Sequence, residues 1–216
     1  MEEKKLFPSV FGWMFVGLLV TFLTGFYVSN NVNMIYNIIN NMWLIILVEF
    51  ALVIILSIRA YKMNYMTSII LFVLYSFVTG LTFSSIFIVY EMSSIISLFL
   101  VSAIIFGLFS LLGYKTRLDL TKFSTILYMI LLGGIVVTIV NLFLNNSMIE
   151  IVVSWVILIV FFGITAYDIQ KIKRISYQIQ DPKRVTIICA LDLYLDFINI
   201  FLRILSWFNS ISFYMH

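Results

Sequence analysis

Charge is scarce in this chain of 216 residues: only 11% are Asp, Glu, Lys or Arg, against about a quarter in soluble globular domains. With 63% hydrophobic residues and a mean hydropathy of +1.13, that shortage excludes a soluble fold and points to an integral membrane protein. The one cysteine, Cys189, excludes an intramolecular disulfide, and the lack of a CxxC pair removes redox and zinc motifs. It reads as a small apolar packing residue. The single histidine is the last residue, His216, which excludes a histidine metal site. No GxxxG occurs. Spans of roughly 20 residues each use up nearly the whole length. No separate soluble domain fits, and residues 1–216 read as a single transmembrane domain. The apolar run from Leu6 to Tyr27 is too long for the core of a signal peptide and lacks a small-x-small cleavage site, so it reads as the first span.

Seven apolar segments are present, at about 7–28, 42–58, 66–90, 94–113, 123–144, 149–167 and 185–208, by a window of about 19 residues. All are expected to be helical, because lipid offers the backbone no hydrogen-bonding partner. The expected fold class is all-α, with seven transmembrane helices. The connection from Ser29 to Asn41 is asparagine-rich and uncharged, and reads as a polar loop. Gly133, Gly134 and Gly163 read as points of close helix packing. The 21 phenylalanines and 12 tyrosines read as lipid-facing and interfacial material.

Every basic residue except Arg203 falls in alternate connections: Lys4 and Lys5, then Arg59 and Lys62, then Lys115, Arg117 and Lys122, then the group from Lys171 to Arg184. The intervening connections have none, so the basic side is expected to be cytoplasmic, with the N-terminus inside and the C-terminus outside a cell membrane crossed many times. This accounts for the net charge of +3 without an anionic partner, and no continuous basic surface suggests nucleic acid.

The segment Asp192 to Arg203, DLYLDFINIFLR, places two acids, one amide and one base inside the last span. At helical pitch Asp192, Asp196, Asn199 and Arg203 project at about 0°, 40°, −20° and 20°, a single narrow stripe. Each ionisable group at a helix centre costs roughly 2.5 to 3.5 kcal/mol against lipid, so the stripe must face protein, water or an ion. Asp196 lies roughly 17 Å past Val185, near the middle of a core about 30 Å thick. Asp168 is expected to close the sixth span at the cytoplasmic face, where it meets Asp196 if the two helices are neighbours.

Carboxylates converging in a low dielectric share protons and titrate as a coupled set. Ionised, the same oxygens suit a hard cation such as Ca²⁺, so Asp168 and Asp196 are also the candidate calcium ligands. The structural alternative is a network in which Arg203 neutralises one aspartate and Asn199 bonds the other. Glu49, buried in the second span, reads either as a second acid in a proton path or as an acid paired to a neighbouring helix. Arg59 reads as an anchor that reaches for the headgroups. A rhodopsin-like reading fails, since the seventh span has no lysine for a Schiff base and the charge bias puts the N-terminus inside. An intramembrane aspartyl protease would share a proton between two membrane aspartates, but its GxGD motif is missing: the second aspartate stands in LYLD.

The stretch AYDIQKIK from Ala166 to Lys173, followed by LDLYLDFINIFLRIL from Leu191 to Leu205, resembles the paired signature of the Bax inhibitor-1 family. VEFALVIILSIR, GLTFSSIFIVY, GYKTRLDL and LLGGIVVTIVNLFL extend the resemblance over nearly the whole chain. It implies a seventh helix surrounded by the other six, and a pH-sensitive calcium leak rather than an enzyme. It implies a proton-sharing pair at Asp168 and Asp196, latched by Arg59, which displaces the anchor reading. Glu49 matches an acid that the family keeps, and Asp192 resembles the eukaryotic branch. Glu49, Asp192, Asn199 and Arg203 are expected to line or support the ion pathway. The implied partners are calcium ions, protons and membrane lipid, with no permanently bound cofactor. A regulatory protein that binds other membrane proteins is the remaining alternative.

Overall fold

The computed structural model describes residues 3–59, 63–178 and 183–214, and every regular element among them is helical. In chain order these are α1 (Glu3–Ser29), α2 (Val32–Asn40), α3 (Met42–Arg59), α4 (Tyr65–Phe83), α5 (Ile86–Val89), α6 (Met92–Lys115), α7 (Thr121–Leu144), α8 (Ser147–Gln178) and α9 (Lys183–Tyr214). Six described stretches are long and apolar enough to cross a bilayer; α2 and α3, bent by 75°, supply a seventh when counted as one broken span. The chain is an all-α membrane protein.

The polar loop expected between Ser29 and Asn41 is largely helix. Asn31 accepts a hydrogen bond from the Met34 amide and so starts α2, while Asn41 donates to the Asn37 carbonyl and closes it. Asn30 closes α1 in the same way, on the Phe26 carbonyl. These asparagines act as helix caps, and α2 buries Ile35.

The sixth span also differs. α8 continues three turns past residue 167, to Gln178, so Asp168 lies well inside a helix rather than at its end. The hydropathy window closes early because Lys171, Lys173 and Arg174 are charged, yet these residues remain helical and half-buried.

Contacts group the chain into two compact units, Met1–Ile95 with Ile175–Tyr194, and Ile96–Arg174 with Leu195–His216. In the first unit α1 packs on α4, where Gly17 lies against Phe72, Ser76 and Tyr194, and Gly80 against the Thr21 carbonyl. In the second, Phe109 stacks on Phe162 at 4.5 Å, and Phe99 and Phe106 flank Phe197. Gly134 approaches Ile157 and Gly163 approaches Leu127, as expected of packing glycines. Gly133 does not: nothing lies within 4 Å of where its Cβ would be.

The last of the described spans is the most buried. Within Val185–Phe208 78% of the most apolar stretch is buried, against 44% for the next most buried span. Several aromatics are core rather than lipid-facing, among them Phe72 and Tyr194, both with no exposed surface. Cys189 is buried, as a packing residue should be. His216 lies outside the described residues.

Candidate functional site

The α9 stripe is visible as a change in burial. Asp192, Leu195, Asn199, Leu202, Arg203 and Ser206 are half-buried at helical spacing, while Leu193, Tyr194, Phe197 and Ile200 are buried. The polar side is therefore the more open side of an otherwise enclosed helix. Asp196 is the exception, at 3% exposure. Asp168 on α8 is equally buried, also at 3%.

The two aspartates belong to the same compact unit. Within it α8 and α9 meet where the rings of Trp155 and Trp207 pack edge-on, 5.4 Å apart. Consecutive spans cross in opposite directions. Counting from that pair at 1.5 Å per residue, Asp168 lies about 20 Å along α8 and Asp196 about 17 Å along α9. By this count the two residues stand at similar distances from the tryptophan pair.

Asp168 has a charged neighbour within its own motif. Lys171 Nζ lies 3.8 Å from Asp168 Oδ1, one turn on along α8. The helix that carries this acid is held at its charged end by the connection between α6 and α7. Gln170 accepts from the Leu120 amide and donates to the Leu118 carbonyl, at 2.9 and 2.8 Å. Lys173 donates to the Tyr114 carbonyl at 2.8 Å and lies over the Tyr114 ring. Arg174 pairs with Asp119, and its guanidinium together with the Thr121 hydroxyl draws that exposed carboxyl down to about 2. Gly113 lies directly against the Ala166 backbone. The GYKTRLDL and AYDIQKIK motifs therefore meet in space, and one clamps the other.

Glu49 has hydrogen-bonding partners on a neighbouring helix. Thr79 and Thr82 on α4 each donate to one of its carboxylate oxygens, both at 2.9 Å. Nearby, the Tyr194 hydroxyl and Thr21 Oγ1 are 2.6 Å apart, and Thr21 also donates to the Ser76 carbonyl. Tyr75 and Phe72 pack edge-on against the Tyr194 ring. This hydroxyl cluster was not foreseen. A tyrosine in the middle of a span, between the two aspartates of LDLYLD, was the available signal, since a buried phenol needs a partner.

The structural alternative for the outer part of the stripe is not what forms. Asn199 donates its amide to the Leu195 carbonyl, 2.8 Å away on its own helix. Arg203 makes no ion pair with a described residue, and the acid acting on it electrostatically is Glu150 on α8. Asp192 is half-buried and falls within the first unit. Arg59 ends α3, and its side chain lies outside the described residues. Among the described residues no cluster of three or more Asp, Glu, His or Cys side chains could hold a metal ion.

The sequence matches the family described as "Inhibitor of apoptosis-promoting Bax1" over residues 3–213. It is 43% identical over 210 residues to the inner membrane protein YbhL of Escherichia coli K12, covering 94% of this chain and 90% of that protein. A protein of Borreliella burgdorferi is 37% identical over 215 residues, with 96% and 93% covered. One of Deinococcus radiodurans is 34% identical over 212 residues, with 97% and 92% covered. Matches of this extent, together with two buried aspartates carried on the AYD and LDF motifs, make the chain a member of the Bax inhibitor-1 family.

Proposed function

We propose that this protein is a pH-sensitive calcium leak of the cell membrane, controlled by a proton shared between Asp168 and Asp196. The observation that carries the reading is the burial of Asp168 and Asp196, each at 3% exposure, on two helices whose residue count sets them at nearly one level. Two ionised acids so placed repel each other across a poor dielectric, and protonating one removes that repulsion. A change of a few kcal/mol is enough to shift a helix between two packings. Arg59 serves as the latch that grips the ionised pair, as the family resemblance implies. Calcium passes rather than stays: transient oxygen ligands from the two aspartates, carbonyls and water suffice for a conducted ion. Asn199 and Arg203 line the more open side of α9 along which it moves.

The unbroken helix of α9 around Asp196 supports a channel over a protease. A protease would have to open that backbone to seat a substrate strand. The basic connections point to the cytoplasm, with the N-terminus inside and the C-terminus outside.

Calcium flux into liposomes carrying the purified protein, measured across a pH series, tests this reading. Asp168→Asn and Asp196→Asn should each flatten the pH dependence. Variants that keep the wild-type flux and pH response would overturn it.

A further inference from the structure

Arg203 is the only basic residue placed outside the alternating connections, and the calcium reading leaves its charge unexplained. Its half-buried guanidinium lines a cavity of about 190 Å³, in the second unit at the end opposite Asp119 and Arg174. Thr138, Asn141 and Asn145 of α7 and its cap, with Glu150 and Ser154 of α8, form the polar part of the wall. Room on this scale holds on the order of ten waters or a small polar group. The cavity thus carries one cation and one anion that make no ion pair with each other or with another described residue. Arg203 and Glu150 act on each other only across the cavity, which leaves the half-buried guanidinium open to water or to a group that enters from outside.

The level of the cavity identifies the partner. Arg203 also lines a small recess with Trp155 and Trp207, and both rings are exposed, at 42% and 39%. Exposed tryptophans at the end of a membrane bundle mark the depth of the lipid headgroups. A guanidinium suits a phosphate, which its planar fork can hold in two bonds. A purely anionic group would meet Glu150 on the same wall and be repelled, whereas a group carrying both charges satisfies both residues.

We propose that this cavity binds the headgroup of a phosphoethanolamine lipid, its phosphate on Arg203 and its ammonium at Glu150. The proposal does not rest on calcium conduction, although Arg203 stands on the side of α9 along which calcium is proposed to move. Binding there clamps α9 to α7 and α8 beyond Asn199.

Native mass spectrometry of the detergent-purified protein, titrated with dioleoyl phosphatidylethanolamine or dioleoyl phosphatidylglycerol, tests the proposal. The wild type should take up the ethanolamine lipid at lower concentration than the glycerol lipid. Arg203→Gln should weaken that uptake roughly tenfold or more, the cost of losing a charged hydrogen bond. Arg203→Lys should fall between the two, since it keeps the charge and loses the fork. Glu150→Gln, at an exposed position where folding is not at stake, should erase the preference for ethanolamine over glycerol. An unchanged preference in Glu150→Gln, or stronger uptake of the glycerol lipid by the wild type, would overturn the proposal. So would soluble glycerophosphoethanolamine binding as tightly as the whole lipid, because the site would then serve a free solute.

Discussion

Gly113 near the end of α6 and Ala166 of the AYD motif touch backbone to backbone, two residues before Asp168. A Cβ at position 113 would fall onto the Ala166 main chain rather than onto a side chain that could turn away. The close approach lets the α6–α7 connection reach Gln170, Lys173 and Arg174, and so positions the helix that carries the buried acid.

Gly113→Ala should therefore lower thermal stability by about 1–3 kcal/mol, the usual cost of overpacking. Gly133→Ala is the matched control, because an added methyl there meets open space and gains up to about 1 kcal/mol of helix propensity. Melting of both variants in one detergent checks this. Equal melting temperatures would show that the contact with Ala166 does not hold α6 against α8.

Thr79→Val and Thr82→Val each remove a hydroxyl that donates to Glu49. A hydrogen bond to a charged group contributes about 1.5–3 kcal/mol, so each variant should be destabilised on that scale. Combining either with Glu49→Gln should give less than the sum of the single effects, as residues sharing one bond must. Strict additivity in a double-mutant cycle would separate Glu49 from these threonines.

Tyr194→Phe keeps the edge-on packing with Phe72 and Tyr75 and loses only the hydroxyl that meets Thr21. Its cost should be about 1–2 kcal/mol. Tyr194→Ala also empties a site with no exposed surface, and should cost about 3–5 kcal/mol. Chemical denaturation in detergent ranks the two, and a reversed order would refute the packing account.

Asp119 supplies a pH effect whose sign is determined by its partner. Arg174 and Thr121 draw its carboxyl from 3.8 down to about 2. The stabilisation from this depressed acid is complete above pH 3.8 and is lost as the pH falls toward 2. Asp119→Asn should remove that acid-side dependence, and salt should weaken it in the wild type, since the pair is exposed. Carboxyl NMR of the labelled protein in nanodiscs would read the titration directly. A midpoint unchanged by Arg174→Gln would show that the pair does not act in solution.

Much of the fold was legible because membrane spans declare themselves locally. Each apolar run satisfies its own backbone as a helix, whatever its neighbours do. The boundaries failed where another local signal competed with hydropathy. Asn31 and Asn41 read as loop residues but serve as caps for α2, and the charges after Asp168 read as a connection although they continue α8. The stripe on α9 was legible from spacing alone. Which residues meet it was not, because Glu150 is 53 residues from Arg203 in the chain.

By itself, then, the sequence determined a helical membrane protein, the narrow polar stripe on its last helix and the two acid-bearing motifs. Hydropathy and helical period are properties of each segment. Only the tertiary structure decided that Asp168 is as deeply buried as Asp196, that Glu49 is held by two threonines of α4, and that Arg203 opens onto a polar cavity shared with Glu150. Those outcomes depend on how closely helices distant in the chain approach one another, and that distance is set by contacts such as Gly113 on Ala166 and Gly163 on Leu127.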